Sequence, residues 1–427
     1  MMFDPAAVRV HRFDNGLTLL TERITTVRSA SIGFWLKRGS RDETPAQNGI
    51  AHFVEHMLFK GTTDRSPREI ALVIDSMGGN VDAFTAHEIS GYYAQVLDER
   101  LAEAFALLAD LTTRPCFDPD ELERERGVIL EEIAAAEDDP EDVLFESFQQ
   151  RYWDGHALGR PILGTTATVS QFDRDDLCGW MAGIGANDMV VSAAGNIDHD
   201  ALVELVGDRL GDLTPGSPRP AREAPPVSPH VQVIGRDLEQ VQLYVAGPGP
   251  VLSDEDRYAA HLLNTVLGGG VSSRLFQSIR EERGLAYNVY SSMASYSDTG
   301  YLWVGAGTRP QSADVVFDLI DVELRKLCEA PLGQDELERT KAQVKAGLML
   351  SLEQTFGRMA NLARQEIGFG RTFTLDEILL SIDRVGPEEI QRCAQRLFDG
   401  PLSAGCVGED AAVHALRESL EAHPRFG

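Results

Sequence analysis

Positive charge is what this sequence is short of. Its 427 residues hold 39 Lys and Arg against 67 Asp and Glu, a formal net charge of −28. So acidic a surface repels phosphate backbones and anionic headgroups, which argues against nucleic acid or an anionic membrane as partner. Basic peptides are what such a field attracts, unless the acidity serves solubility alone. Long hydrophobic runs are missing too: none reaches the roughly 18–20 apolar residues that cross a bilayer, so no membrane span is expected. The start, MMFDPAAVRVHRFDNG, has no basic stretch followed by an apolar core, the pattern of a secretory signal. The five cysteines (Cys116, Cys178, Cys328, Cys393, Cys406) form no CxxC pair. An odd, unpatterned set of thiols without a signal predicts reduced cysteines and a cytoplasmic location.

What remains is ordinary globular composition, 43% hydrophobic and 25% charged, in a chain long enough for two or three domains. Residues 213–230, LTPGSPRPAREAPPVSPH, hold six of the twenty prolines and are expected to form an extended linker between domains 1–212 and 231–427. The two halves resemble each other. Asp120-Glu121-Leu122-Glu123-Arg124 recurs as Asp335-Glu336-Leu337-Glu338-Arg339, and GYYAQV at 91–96 matches GYLWVG at 300–305. Strand-like runs flank Asn15-Gly16, a hairpin signal. More appear as SASIGFWLK, VDAFTAHEISGYYAQV, HVQVIG, QVQLYVAG, AYNVYSSM and YLWVGAG. Adjacent strand runs with intervening helical stretches predict an α+β fold. Two homologous domains are expected, each a largely antiparallel sheet with helices packed on one face.

Residues 48–61, NGIAHFVEHMLFKG, read as a short helix with Asn48 capping its start and Gly61 its end. At the helical period Ile50, Phe53, Val54 and Met57 share one face, and His52, Glu55 and His56 the opposite one. Histidines one turn apart can bind one zinc ion, and a carboxylate beside them can act as general base. The order is HxxEH, the reverse of HExxH. The bland alternative is a pair of histidines in a buried polar contact. A third ligand is best sought in the helix after Pro119, DELERERGVILEEIAAAEDD. There Leu122, Ile129 and Ile133 form the inward stripe, with Glu125 and Glu132 at its edge two turns apart. Glu131 points about 120° away, which favours Glu132 as ligand and leaves Glu125 to orient the site.

HFVEH, with Glu132 in ERERGVILEE 76 positions after His56, closely resembles the inverted-zincin peptidases of family M16. The nearest likeness is to its short, bacterial, processing-peptidase-like members, and it covers essentially the whole chain. The resemblance implies one zinc ion per chain on His52, His56 and Glu132, with Glu55 as general base and Glu125 as assisting carboxylate. It implies proteolysis of extended, unfolded or presequence-like peptides. Arg280 and Tyr287, in SIREERGLAYNVY, match the pair with which the family holds and polarises substrate. VDAFT matches the edge strand on which Asp82, Ala83 and Phe84 would pair with the substrate backbone, with Asp82 where the family often has Asn. Gly268-Gly269-Gly270 lacks the Lys-Ser/Thr of a phosphate loop and resembles a shortened family glycine loop. His87 and His156 are expected to be plain structural histidines. The second half has no HxxEH, and the repeat offset carries Glu132 onto Gly347, so no metal is expected there. Larger members fuse two such chains. A dimer is therefore expected, of identical chains or with a paralogue, with zinc from one subunit and the Arg/Tyr pair from the other. The rival is a structural family member without turnover, such as a core subunit of a respiratory complex. Those lack an intact motif.

Overall fold

Asn15 and Gly16 turn the chain between β1 (Val8–Arg12) and β2 (Thr18–Arg23), which pair antiparallel. Gly16 takes a φ of +91° there, open to glycine without strain. The computed structural model describes residues 7–216 and 221–426; residues 1–6 and residues 217–220 of the expected linker lie outside it. The remaining strands are β3 (Ser29–Leu36), β4 (Asn80–Thr85), β5 (Ser90–Leu97), β6 (Met189–Gly195), β7 (Val231–Gly235), β8 (Val241–Pro248), β9 (Ala286–Ser295), β10 (Gly300–Thr308) and β11 (Ser403–Gly408). They form two sheets, in the orders β1-β2-β6-β3-β5-β4 and β7-β11-β8-β10-β9.

Each sheet contains one parallel pair, β2 with β6 and β7 with β11, and is otherwise antiparallel. Read from that pair outwards, the two orders are one topology, so the sequence repeat is a repeat of fold. GYYAQV and GYLWVG lie on β5 and β10, and the two DELER segments open the helices Pro119–Asp138 and Gln334–Ser351. The α+β class with two homologous domains is as expected. Residues 213–216 and 221–230 of the proline-rich segment form neither helix nor strand. Among the described residues no helix is long and apolar enough to cross a membrane.

The sheets belong to two compact units. One comprises residues 1–135, 160–220 and 349–374; the other comprises 136–159, 221–348 and 375–427. Each unit therefore takes a helix from the other half of the sequence. Beyond the expected helical layer, Thr355–Phe369 covers the second face of the first sheet, and Pro140–Tyr152 the second face of the other. Coverage on both sides explains why β3 and β6 read as unbroken apolar and small residues, not as an alternation.

Small side chains let the covering helix lie close. The Trp35 indole donates to Ser192 Oγ (2.7 Å), which donates to the Met359 carbonyl (2.9 Å), and the Ser31 and Thr355 hydroxyls bond at 2.9 Å. A β-carbon at Gly33 would come within 2.9 Å of the Met359 sulfur. The ion pairs Arg358–Glu22 and Arg12–Glu366 tie the same helix to β2 and β1. Met359 is fully buried. Met359→Ala is expected to destabilise the first unit by about 2–5 kcal/mol, read as a lower urea midpoint.

Candidate metal centre

The helix Ile50–Leu58 has one face in the core, with Ile50, Ala51, Phe53, Val54, Met57 and Leu58 buried. His52, Glu55 and His56 lie on the half-exposed side. The expected Asn48 cap is corrected. The N-cap is Gly49, at φ +96°, and the acceptor comes from Glu43. The Glu43 carboxylate, 4% exposed, accepts from the backbone N–H of Gly49 and Ala51 (both 3.0 Å) and from the Asn48 amide (3.2 Å). Asn48 thus donates instead of accepting. Burial pushes the Glu43 carboxyl up to about 7, opposed by these donors and by Arg160. Gly49 packs against Gly164: a β-carbon at position 49 would meet the Gly164 Cα at 2.7 Å. The helix ends at Phe59, and Gly61 takes its φ of +123° beyond that end.

The acidic helix Pro119–Asp138 buries Leu122, Glu125, Ile129 and Ile133, the predicted stripe with Glu125 within it. Arg126 fixes it to its surroundings, donating to the Phe172 carbonyl (2.7 Å) with its guanidinium 5.7 Å from the Phe53 ring. The two helices bring His52, His56 and Glu132 together, one ligand atom from each within 4.8 Å of the others. His52 Nε2 and His56 Nε2 stand 3.8 and 3.6 Å from Glu132 Oε2. Those separations exceed hydrogen-bond length. Tetrahedral zinc, with bonds of about 2.0–2.2 Å, holds its ligand atoms roughly 3.3 Å apart, so two imidazoles and a carboxylate at this spacing fit the ion. Three protein ligands leave a fourth position open, as catalytic sites do. Exposed Glu131 is not in the group.

Around this cluster the environment is asymmetric. His56 Nδ1 lies 3.2 Å from Glu125 Oε2, whose other oxygen is 2.7 Å from Lys60 Nζ. His52 Nδ1 is buried with no hydrogen-bond partner among the described residues. Burial, aided by the nearby His56, pushes the His52 imidazole down to about 4, so it is neutral and able to ligate at pH 7. Glu55 accepts from the Thr85 hydroxyl through Oε2 (2.5 Å). Burial raises its pKa; Thr85 and His56 oppose the rise, and the charges of Asp82 and Glu132 add to it.

Thr85 ends β4, the edge strand carrying Asp82, Ala83 and Phe84. Asp82 accepts from the Ala83 N–H (2.8 Å) and the Tyr93 hydroxyl (3.2 Å), while Phe84 packs on Trp35. Arg280 and Tyr287 lie in the other unit and meet each other, the guanidinium 4.6 Å from the tyrosine ring, with Tyr287 80% exposed on the edge strand β9. His87 is bonded to Ser40, and His156 accepts from the Leu158 N–H, both within loops. Glu43 and Lys60 had no role in the sequence reading and Thr85 entered it only as the end of VDAFT, because periodicity does not show which groups the loops return to the helix.

The helix Arg257–Gly268 occupies in the second unit the place of Ile50–Leu58 in the first. Aligning AAHLLNTVLGGG (259–270) with IAHFVEHMLFKG (50–61) keeps His52 as His261 but puts Asn264 at Glu55 and Thr265 at His56. The three-glycine segment closes this helix, with Gly268 its last residue and Gly269 its C-cap.

Comparison with known proteins gives a consistent result. The family description "Insulinase (Peptidase family M16)" matches residues 18–166, and "Peptidase M16 inactive domain" matches residues 171–344. A protein of Streptomyces coelicolor named an uncharacterized zinc protease is 39% identical over 97% of this chain and 92% of its own length. A Bacillus subtilis protein also named an uncharacterized zinc protease is 39% identical over 92% of this chain and 96% of its own. Among solved structures, a protease from Helicobacter pylori superposes with a TM-score of 0.87 at 21% identity, over 94% of this chain and 99% of that one.

Zinc content after dialysis against a mild chelator, read by mass spectrometry, tests the ligand set. Glu132→Gln is expected to lose most of its metal, whereas Glu55→Gln is expected to keep about one zinc per chain.

Proposed function

Because this chain belongs to peptidase family M16, we propose that it is a zinc-dependent endopeptidase cleaving extended, unfolded or presequence-like peptides. The convergence of His52, His56 and Glu132, with Glu55 beside them but outside the ligand set, carries the reading. Zinc on those residues supplies Lewis acidity towards a peptide carbonyl and acidifies water. Glu55 takes the proton of the attacking water and returns it to the leaving amine, a double duty that suits a carboxylate with a raised pKa. Thr85 holds the carboxylate for both transfers. The outer edge of β4 offers backbone groups to an extended substrate next to Glu55, by strand addition. The net charge of −28 favours basic segments.

Tyr287 is the donor proposed for the developing oxyanion, with Arg280 stacked on its ring to hold it. Removing one such donor typically costs about 10²–10³ in kcat. In the proposed homodimer, or heterodimer with a paralogue, this pair comes from the second copy.

Peptide hydrolysis should stop on chelation and return with added zinc, and Glu55→Gln should lose about 10²–10⁴ in kcat with its metal retained. Full activity in zinc-free protein overturns the reading. Complementation tests the assembly. Glu55→Gln and Tyr287→Phe chains mixed at random give hybrids in about half the dimers, each with one of two sites intact, so roughly a quarter of wild-type activity should return. If both groups act within one chain, mixing restores nothing.

A further inference from the structure

Lys60 follows the metal helix by two residues, and the catalytic reading gives it no part. Its Nζ lies 2.7 Å from Glu125 Oε1, and Glu125 Oε2 lies 3.2 Å from His56 Nδ1. His56 Nε2 faces Glu132, so the imidazole stands between two carboxylates of one helix. Glu125 is only 6% exposed. A carboxylate with so little water needs a cation or donors, and without them it turns towards the strongest positive charge in reach. Beside a zinc site that charge is the metal. We propose that Lys60 is a positioning residue of the metal site: its ammonium holds Glu125 so that this carboxylate fixes the His56 ring through Nδ1 and does not swing onto the ion.

The inference rests on the reading of His52, His56 and Glu132 as zinc ligands. An ammonium is a compact charge that occupies one carboxylate oxygen and leaves the other to the imidazole. The partner of a ligating histidine commonly fixes its tautomer and orientation, and losing it costs about 10–100-fold in metal affinity. The repeat within the chain argues the same way. In the second unit, where Thr265 replaces His56, Gly269 stands at Lys60 and Thr340 at Glu125, so both ends of the relay are missing together with the ligand they would serve. Were Lys60 and Glu125 a general prop for this helix pair, the second unit would have equal use for them.

Lys60 borders a cleft of about 480 Å³ shared with Arg65, Cys116 and Arg124, and its side chain is 32% exposed. Its replacement therefore removes charge without emptying the core. The test measures zinc affinity of metal-free full-length chains by competition with a chromophoric chelator, with peptide KM and kcat taken at saturating zinc. Lys60→Met is expected to bind zinc about 10–100-fold more weakly, with KM unchanged, and Lys60→Arg is expected to recover most of the loss. Lys60→Met combined with Glu125→Gln should bind no more weakly than Glu125→Gln alone, because no stranded charge remains. Lys60→Gln serves the same comparison if the methionine variant melts early. Wild-type affinity in Lys60→Met, or losses from the two sites that simply multiply, overturns the proposal. Failure of the wild-type chain to bind zinc at all overturns the ligand assignment instead, and the relay with it.

Discussion

A helix of nine residues does not persist in water by itself, since nucleating it costs more than its few hydrogen bonds return. Ile50–Leu58 persists because one face is buried and because the Glu43 carboxylate takes the Gly49 and Ala51 N–H groups at its start. The rest of the site is arranged around that immobilised segment. Its far side presents two imidazoles one turn apart, and the acidic helix brings Glu132 to their Nε2 atoms. β4 delivers Thr85 to Glu55, so the strand edge and the Glu55 carboxylate are fixed together. A buried acid at a helix N-terminus thus sets the geometry of groups it never touches.

The cluster was legible in the sequence because helical periodicity places His52, Glu55 and His56 on one face and Glu132, not Glu131, towards them. Glu43 was not: an acidic residue seven positions before the helix looks like any loop carboxylate until the fold returns it to Gly49 and Ala51. Most strands were legible as runs of β-branched and aromatic residues. β6 and β11 were not, although both are central. MVVSAAG and SAGCVG are rich in small residues because both faces of these strands are covered by helices, and such segments carry neither alternation nor bulk. The covering roles of the helices Thr355–Phe369 and Pro140–Tyr152 were not legible, because amphipathicity does not say which sheet a helix covers.

The two units show what separates a scaffold from a site. Their sheets share an order, a parallel pair and the DELER helix start. Yet Asn264, Thr265, Thr340 and Gly347 stand where the first unit has Glu55, His56, Glu125 and Glu132. A few side chains on two helices distinguish the units, while the order of strands in the layers stays the same.

The helix Thr355–Phe369 also sets an order of events for a chain leaving the ribosome. The indole of Trp35 and the small residues of β6 are synthesised long before their cover: Ser192 waits 167 residues for Met359, and Glu22 waits 336 for Arg358. At about 5–20 residues per second, the first sheet holds one apolar face bare for many seconds. During that interval a chaperone, or any other hydrophobic surface, competes with a helix that does not yet exist.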